Sequence, residues 1–342
     1  MVKTKIICTL GPASADRTII RKMMLAGMDI ARLNFSHGTH SRHQNLINFI
    51  KELNIKYRRR IRILQDLEGY RIRIGKFKDK KTRVLKKKQI VLFTNRDNLI
   101  DDRTVLFDYP GSLSDMKVNT SIYIDDGNIA LRVKGSDRNY IKTEVIIPGV
   151  LKENKGVSIP DIDLRFGALT EKDLKDLRFG IKQKVDFIAQ SFVRDKQDLV
   201  NIRDIVKDSG FHPRIIAKIE NRSGVKNINR ILDVADGIMV ARGDLGVSFP
   251  IHEVPVLQKI LIKKCKQRKK MVITATQMLE SMTEHIKPTR AEVSDVANAI
   301  FDGSDYLMLS AETAVGKYPV ETVRMMNDVI KFTEGFLKNK RN

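Results

Sequence analysis

Two short apolar runs of this chain end abruptly in charged residues. The first run ends with Lys218 and Glu220, and the second ends with Arg242 and Asp244. Residues two positions apart in an extended strand share a face, so each pair projects to one side of its strand. A lysine and two carboxylates would make a poor core. They suit a divalent cation bound beside a phosphate, since hard cations take carboxylate and phosphoryl oxygens together.

These two runs belong to a repeating pattern of apolar strands and helix-like segments. Continuous apolar strands that alternate with helices indicate a parallel sheet covered on both faces. Eight such units predict an α/β fold, the closed (β/α)8 TIM barrel. The predicted strands are Lys5–Leu10, Asp29–Phe35, Arg62–Leu67, Asp186–Phe192, Arg214–Ile219, Gly237–Val240, Met271–Ala275 and Tyr306–Leu309. The predicted helices include Asp16–Ala26, His40–Leu53, Glu171–Gln183, Asp195–Lys207, Val254–Lys269 and Val320–Phe332.

In a barrel of this kind the functional site lies at the C-terminal ends of the strands. Each predicted strand ends in polar residues, and this agreement across eight strands indicates a site for a phosphate and a metal ion. In chain order the strand-end residues are Thr9 and Ser14; Arg32, Asn34 and Ser36; Asp66; Ser191; Lys218 and Glu220; Gly243 and Asp244; Thr274 and Thr276; and Ser310 and Glu312.

One interval interrupts the strand–helix pattern. Between residues 70 and 155 apolar and polar residues alternate with a period of two, and Asp-Gly and Pro-Gly turns separate the segments. This pattern predicts a small β-rich, barrel-like lid domain at residues 70–155, inserted after the third strand. The barrel is then formed by residues 1–69 and 156–342. A lid at this place could cover the site and exclude water.

Composition narrows the class of protein. A hydrophobic content of 42% and a charged content of 30% are ordinary for a soluble globular protein. We find no stretch long and apolar enough to cross a membrane, and no signal-peptide pattern. The two cysteines, Cys8 and Cys265, cannot build a disulfide framework, which fits a reducing compartment. We therefore expect a cytoplasmic protein without a membrane partner.

The net charge of +22 permits two interpretations. Clustered lysines and arginines can bind nucleic acid by releasing counterions from its phosphates. Alternatively, a lysine-rich surface can surround an enzyme with anionic substrates. Basic residues are spread over the whole chain, densest at Lys76–Lys88, with few aromatic residues between them. This distribution favours the second interpretation, so a nucleic-acid partner is not expected.

The blocks around the strand ends resemble the signature blocks of the pyruvate kinase family. The resemblance extends to about Met326. It implies a (β/α)8 barrel with a β-rich lid after the third strand. It also implies a glycolytic kinase that transfers the phosphoryl group of phosphoenolpyruvate to ADP, giving pyruvate and ATP. The matching blocks are Lys5–Ser14, Ala31–His40, Ala217–Asn221, Ile238–Gly246, Ala275–Met282 and Pro288–Asp302.

The resemblance implies roles for individual residues of the phosphoenolpyruvate side. Lys218 would lie beside the transferring phosphoryl group, with Arg32 holding the phosphate and Arg73 as a second arginine. Glu220 and Asp244 resemble the ligands of Mg²⁺ or Mn²⁺.

Other residues would contact the rest of the substrate. Ser191 and the backbone N–H groups at Gly243 and Asp244 would bind it, the latter at its carboxylate. Thr276 would face the enolate, and Ser310 with Glu312 resembles a proton relay. The group that protonates the enolate carbon is left open, with bound water as an alternative.

A further set of residues corresponds to the family's nucleotide side. The lid segment Asp125–Gly127 would face the site or form a simple hairpin turn. The predicted nucleotide-binding residues are Pro12, Asn34, His37, Arg73 and Lys155.

The resemblance also bears on a monovalent cation. Asn34, Ser36, Asp66 and Leu67 occupy the family's K⁺ position. Members that need K⁺ usually have glutamate where this chain has Arg71, and K⁺-independent members usually have lysine. A fixed guanidinium could supply the positive charge of K⁺, so we expect K⁺-independent activity.

The chain departs from the family pattern at four positions. Tyr70 replaces a proline at the entrance to the lid, which makes the hinge less rigid. Arg42 replaces a base-stacking tyrosine, Val315 replaces a lysine that contacts phosphates, and Ala311 replaces a glycine. We expect these changes to weaken or alter nucleotide binding without affecting the chemistry.

The family usually continues for more than a hundred further residues as a regulatory α/β domain. We expect this C-terminal domain to be absent, and with it any activation by sugar phosphates; alternatively, the remainder is encoded elsewhere. The Pro288–Glu292 segment, which in the family lies near a neighbouring barrel, is present. A homo-oligomer, a dimer or tetramer formed through the barrel, is therefore expected.

Two other functions compete with the kinase. An aldolase or lyase acting on the same metabolites would share the barrel, but the lid and Lys218 argue against it. A catalytically weak paralogue could act as a basic nucleic-acid-binding or scaffold protein. The intact Lys218, Glu220 and Asp244 argue against that alternative.

Overall fold

The computed structural model describes residues 3–77, 82–99, 101, 104–160 and 169–339. Parts of the predicted barrel and lid segments, residues 1–2, 78–81, 100, 102–103, 161–168 and 340–342, lie outside the described residues, as does part of the basic run 76–88. None of the described helices is both long enough and apolar enough to span a membrane.

The described chain forms strands and helices in the alternation that the sequence predicts. The strands are β1 (Lys5–Thr9), β2 (Met28–Asn34), β3 (Arg62–Asp66), β4 (Thr82–Leu85), β5 (Ile90–Thr94), β6 (Thr104–Leu106), β7 (Ser121–Ile124), β8 (Ile129–Ser136), β9 (Ile141–Ile147), β10 (Gly149–Lys152), β11 (Val157–Ser158), β12 (Phe187–Gln190), β13 (Arg214–Ile219), β14 (Gly237–Ala241), β15 (Met271–Ala275) and β16 (Tyr306–Leu309). The helices are α1 (Arg17–Ala26), α2 (His40–Tyr57), α3 (Glu171–Gln183), α4 (Gln197–Asp208), α5 (Arg222–Lys226), α6 (Ile228–Val234), α7 (Arg242–Ser248), α8 (Val254–Gln267), α9 (Arg290–Asp302), α10 (Ala311–Ala314) and α11 (Pro319–Asn339). Short 3-10 helices lie at Pro12–Ser14, Asp97–Leu99, Leu113–Asp115, Ile251–Glu253 and Glu280–Thr283.

Eight parallel strands close into a barrel. Their order around the barrel is β1-β16-β15-β14-β13-β12-β3-β2. The strands β4 to β11 are inserted between β3 and α3, and they form a six-stranded sheet and a two-stranded sheet. The prediction of a (β/α)8 barrel with a β-rich insertion after its third strand is therefore confirmed.

Both faces of the barrel strands are buried, which explains their continuous apolar runs. Alternate residues pack outward against the helices. The remaining residues fill the interior, where every strand contributes at least one side chain and the barrel is a packed core. The interior side chains are Ile7, Ile30, Leu64, Phe187, Ala189, Ile216, Met239, Ile273, Ala275 and Met308.

A repeated hydrogen bond ties the N-terminal ends of the barrel strands together. In each instance an aspartate just before or at the start of one strand accepts from a backbone N–H near the start of a neighbouring strand, at 2.8 to 3.0 Å. We call these hydrogen bonds the N-terminal locks; the aspartates that form them belong to every second strand of the barrel. The pairs are Asp29 with Ile6, Asp186 with Ile63, Asp236 with Ile215 and Asp305 with Val272.

The inserted segment has a separate apolar core, which includes the edge-to-face pair Phe93 and Phe107. Its six strands are ordered β11-β7-β8-β9-β5-β6. The predicted turn at Asp125–Gly127 joins β7 to β8, and all three residues have positive φ angles of 55°, 56° and 91°. Aspartate and glycine tolerate this left-handed conformation best. We refer to this β-rich segment as the lid sheet.

Candidate active site

Lys218 occupies the centre of a buried cluster at the C-terminal ends of the strands. Its Nζ lies 2.6 Å from Ser191 Oγ, 3.1 Å from Asp66 Oδ1 and 3.1 Å from Glu220 Oε1. Burial works to lower the pKa of Lys218, but Asp66 and Glu220 outweigh it and the pKa is raised. The ammonium therefore stays charged within this cluster.

Asp66 links Lys218 to Arg32. Arg32 Nε donates to Asp66 Oδ2 at 2.7 Å, and its Nη1 donates to Thr9 Oγ1 at 2.9 Å. Burial opposes the charge on Asp66, yet Lys218 and Arg32 lower the pKa of this carboxyl group. Strands β1, β2, β3 and β13 thus join their ends through one ion-pair network. Arg32 and Lys218, predicted to act on the same phosphate, are held by a common carboxylate.

Glu220 and Asp244 line the same cleft and follow the neighbouring strands β13 and β14. Glu220 is 2% exposed, and the N–H of Phe192 donates to its Oε2 at 2.6 Å. Burial raises the pKa of Glu220 to about 7, and the nearby Asp244 adds to the rise. A cation between the two carboxylates would relieve this repulsion.

The donor set fits a hard divalent cation. Among the described residues, no group of three or more histidine, cysteine, aspartate or glutamate side chains could hold a metal ion. Mg²⁺ is commonly bound through only one or two carboxylates, with water and substrate oxygens as its other ligands. Glu220 and Asp244 therefore suffice for this type of site and would leave positions for a phosphorylated substrate.

Arg71 bridges the lid sheet and the barrel. Its Nη2 lies 2.6 Å from Asp126 Oδ1 in the lid turn and 3.7 Å from Asp244 Oδ1 in the barrel. Burial works to lower the pKa of Arg71, but Asp244 and Asp126 outweigh burial and the pKa is raised. A Cβ at Gly156 would approach Arg71 Nε to 2.3 Å, so the glycine leaves room for the guanidinium.

Thr276 adopts a conformation that is unusual for a β-branched residue. Its φ is 70°, and its Oγ1 accepts from the N–H of Gly243 at 2.9 Å and donates to Ala275 O at 2.6 Å. Backbone strain of this kind persists where the surrounding structure enforces it, often at functional sites.

Arg242 turns away from the cleft and binds Asp295 on α9 at 2.6 Å, in agreement with a structural role.

Glu312 is engaged by the backbone. It is fully buried, and its oxygens accept from the N–H groups of Ser310 and Leu279 at 2.7 and 3.2 Å. The hydroxyl oxygen of Ser310 is buried and has no hydrogen-bond partner among the described residues. Glu312 thus positions the turn that carries Ser310.

The residues predicted for a monovalent cation have protein partners. Asn34 Oδ1 accepts from the N–H of Ser36 at 3.2 Å, and the carbonyl of Leu67 accepts from Ser191 Oγ at 2.7 Å. Asp66 is paired with Arg32 and Lys218, as described above. The guanidinium of Arg71 lies elsewhere, between Asp126 and Asp244.

The predicted nucleotide-side residues lie in two places, at or after the ends of β1 and β2 and in the inserted segment. Pro12 begins a 3-10 helix after β1, and the carbonyl of His37 contacts His43 Nε2 at 3.0 Å. Lys155 binds Asp125 in the lid turn at 2.7 Å. None of Pro12, Asn34, His37, Arg73 and Lys155 lines the cleft that contains Glu220 and Asp244.

Sequence reasoning missed Glu68, which organises the entrance to the lid sheet. Glu68 Oε1 lies 2.6 Å from Arg73 Nη2, and its Oε2 lies 3.3 Å from Lys172 Nζ on α3. Lys172 also pairs with Asp176 at 2.7 Å. The position of Glu68, between Asp66 and the arginines of the same block, was the available signal in the sequence.

Comparison with known proteins decides the family. The model of the pyruvate kinase barrel domain matches residues 1–323 of the chain. The chain belongs to the pyruvate kinase family. This result confirms the resemblance carried by the strand-end blocks, and pyruvate kinases generally use a divalent metal ion.

Curated pyruvate kinases are similar over nearly the whole chain. The pyruvate kinase of Geobacillus stearothermophilus is 47% identical over 341 residues, covering 99% of this chain and 58% of the relative. That of Staphylococcus epidermidis is 44% identical over 331 residues, covering 96% of this chain and 56% of the relative. That of Clostridium perfringens is 44% identical over 339 residues, covering 98% of this chain and 71% of the relative. The chain therefore spans less than two thirds of the length of the first two.

Proposed function

We propose that the chain transfers the phosphoryl group of phosphoenolpyruvate to ADP, giving pyruvate and ATP. The observation that carries this proposal is the convergence of Lys218, Arg32, Glu220 and Asp244 at one end of a pyruvate kinase barrel. Two cationic and two anionic side chains at one end of the barrel suit a phosphate and a divalent cation together.

Lys218 and Arg32 act on the phosphoryl group in this proposal. Both are held rigidly by Asp66, so little reorganisation is needed when negative charge spreads over the phosphoryl oxygens. Lys218 supplies a point charge, and Arg32 supplies a planar fork that matches phosphate geometry. Ser191, within hydrogen-bond distance of Lys218, orients the ammonium.

Glu220 and Asp244 would hold Mg²⁺ or Mn²⁺. When bound, the cation polarises phosphoryl and carboxylate oxygens as a Lewis acid. The N–H groups at Gly243 and Asp244 lie in the first turn of α7 and would orient the substrate carboxylate, which would take the Gly243 N–H over from Thr276 Oγ1. Thr276 hydrogen-bonds Gly243 and would face the enolate. Three groups could protonate the enolate carbon: Thr276, the relay through Ser310 and Glu312, and bound water.

The nucleotide is assigned to residues at or after the ends of β1 and β2 together with two residues of the inserted segment. Pro12, Asn34, His37, Arg73 and Lys155 would contact ADP, with Arg73 also reaching the transferring phosphate. The pairing of Arg73 with Glu68 and of Lys155 with Asp125 is compatible with this role, since nucleotide phosphates can compete for exposed cations.

We further propose that Arg71 makes K⁺ unnecessary by supplying a fixed positive charge near the site, although its guanidinium does not lie among the residues predicted for K⁺. Its guanidinium already lies between Asp126 and Asp244, which supports a fixed positive charge beside the proposed divalent site. Arg71→Glu should reduce turnover at least about tenfold in tetramethylammonium buffer, by removing this charge. K⁺ should restore the activity of Arg71→Glu and leave the wild type and Arg71→Lys unchanged. Loss of wild-type activity in tetramethylammonium would refute the replacement.

Three further expectations are part of the proposal. The barrel at 1–69 and 156–342 and the lid at 70–155 are proposed as separate domains, which the two apolar cores support.

Self-association through the barrel is supported by the exposed Ile251, Val256 and Ile260 near or on α8. Analytical ultracentrifugation would test it. The cytoplasmic location stays a prediction.

The activity is tested by coupling pyruvate formation to lactate dehydrogenase with phosphoenolpyruvate, ADP and Mg²⁺. We expect turnover that chelation of Mg²⁺ abolishes, and the same assay with other nucleoside diphosphates defines the acceptor. Absence of turnover, together with salt-sensitive binding to nucleic acid, would favour the paralogue alternative.

A further inference from the structure

The cleft between the lid sheet and the barrel is lined by more residues than the proposed substrate and cation contacts involve. Its volume is about 100 Å³, counted as the space open to the centre of a water-sized sphere. Its lining includes Ser191, Glu220 and Asp244, the residues assigned above to the substrate and the divalent cation.

Part of the cleft lining is apolar. We call it the apolar annex and define it by six residues: Tyr70, Ile72, Tyr123 and Ile159 on the lid side, and Phe192 and Val247 on the barrel side. Both walls carry aromatic rings, which pack well against a further ring.

The annex is directly connected to the proposed cation site. Phe192 has a φ of 54°, and its N–H donates to Glu220 Oε2 at 2.6 Å. This hydrogen bond fixes the strained residue next to Glu220. A ligand bound to the cation through one end would therefore meet the annex with its other end.

The annex is not the proposed nucleotide site. Its barrel-side residues follow β12 and β14, whereas Pro12 and His37 follow β1 and β2. None of the five proposed nucleotide-binding residues lines the cleft. An occupant of the annex would thus compete with phosphoenolpyruvate rather than with ADP.

We infer that the cleft binds 2-oxo acids that carry an aromatic ring on C3, with the ring in the annex. The inference rests on the proposed function, because the product pyruvate is itself a 2-oxo acid. An aryl group that replaces a C3 hydrogen leaves the carboxylate and ketone oxygens, which bind the cation at Glu220 and Asp244. The ring then lies between the lid and barrel walls and displaces water from apolar surface.

Phenylpyruvate is the probe, and isothermal titration calorimetry of the Mn²⁺-loaded chain is the measurement. We expect it to bind about 10- to 50-fold more tightly than pyruvate, since burying one ring removes on the order of 100 Å² of apolar surface from water. Binding of both acids should require Mn²⁺, and phosphoenolpyruvate should displace both. Equal or weaker binding of phenylpyruvate would overturn the annex.

A pair of matched variants tests the location of the ring. Tyr123→Ser removes one wall of the annex and should weaken phenylpyruvate binding about fivefold or more while leaving pyruvate binding unchanged. Tyr140→Ser makes the same replacement between β8 and β9, away from the cleft, and should change neither. An equal affinity of the two variants for phenylpyruvate would refute this placement.

The two proposals can fail separately. Mn²⁺-dependent binding of pyruvate without a gain for phenylpyruvate refutes the annex and leaves the kinase proposal intact. A Tyr123-sensitive gain for phenylpyruvate without turnover supports the annex and refutes the kinase proposal. If neither acid binds and no turnover occurs, both are refuted.

Discussion

The two ends of the barrel both carry carboxylates, but they use them differently. At the N-terminal end, Asp29, Asp186, Asp236 and Asp305 accept backbone N–H groups from neighbouring strands. At the C-terminal end, Asp66 and Glu220 share the ammonium group of Lys218. Asp244 is about one-third exposed to the cleft.

The difference separates stability from chemistry. At the N-terminal end the partner of each carboxylate is a backbone N–H group, so these hydrogen bonds contribute to the stability of the barrel. At the C-terminal end the partners are side chains, and the carboxylates of Glu220 and Asp244 could also bind a cation. In barrels of this type the N-terminal end generally serves stability, and the C-terminal end carries the functional site.

The largest expected effect is at Lys218. Lys218→Met should lower kcat by about 10³-fold or more, a loss of about 4 kcal/mol of transition-state stabilisation, because no other charge takes its place. The coupled assay measures it, and circular dichroism checks that the fold is retained. The matched control is Lys266→Met at the opposite end, where Lys266 pairs with Asp305 at 2.6 Å. A comparable kcat loss in the control would break the contrast between the two ends.

An intermediate effect on stability is expected at the N-terminal locks. Asp236→Ala leaves the N–H of Ile215 and the guanidinium of Arg203 without their carboxylate partner. The free energy of unfolding should fall by about 2 kcal/mol, measured by urea denaturation, with kcat unchanged within about twofold. A large fall in kcat at unchanged stability would contradict the assignment.

The smallest expected effect concerns Glu334 on α11. Its carboxylate, like the N-terminal aspartates, accepts hydrogen bonds from backbone N–H groups, here just before β1. It accepts from the N–H groups of Lys3 and Thr4 at 2.8 and 2.6 Å. Burial works to raise the pKa of Glu334, but these N–H groups outweigh it and the pKa is lowered.

The pKa of Glu334 is lower in the folded state than in the unfolded state. The stabilisation that this carboxylate gives to the fold is therefore complete at pH values above its unfolded-state pKa. This stabilisation is lost as the pH falls through its folded-state pKa. Glu334→Gln should cost about 1 kcal/mol at pH 7 and progressively less in acid. Thermal unfolding of both proteins between pH 7 and pH 3 measures this, and a difference that does not vary with pH would disprove the mechanism.

Much of the fold was predictable because its signals are local. The start and end of β13, β15 and β16 agree with the predicted runs, since an apolar strand buried on both faces shows itself in adjacent residues. Helices are less sharply bounded: α2 extends to Tyr57 and α11 to Asn339, beyond the predicted Leu53 and Phe332. Polar residues near a helix end weaken the periodic pattern without ending the helix.

The sequence by itself therefore determined the barrel, the place of the lid sheet and the strand ends on which the site residues stand. Periodicity and residue type act over a few positions, and they suffice for these features. Only the tertiary structure decided which of these residues touch. Closure of the barrel brings Asp66 to Lys218, and packing of the lid sheet brings Arg71 between Asp126 and Asp244. Such contacts depend on how separate elements pack, which no local pattern records.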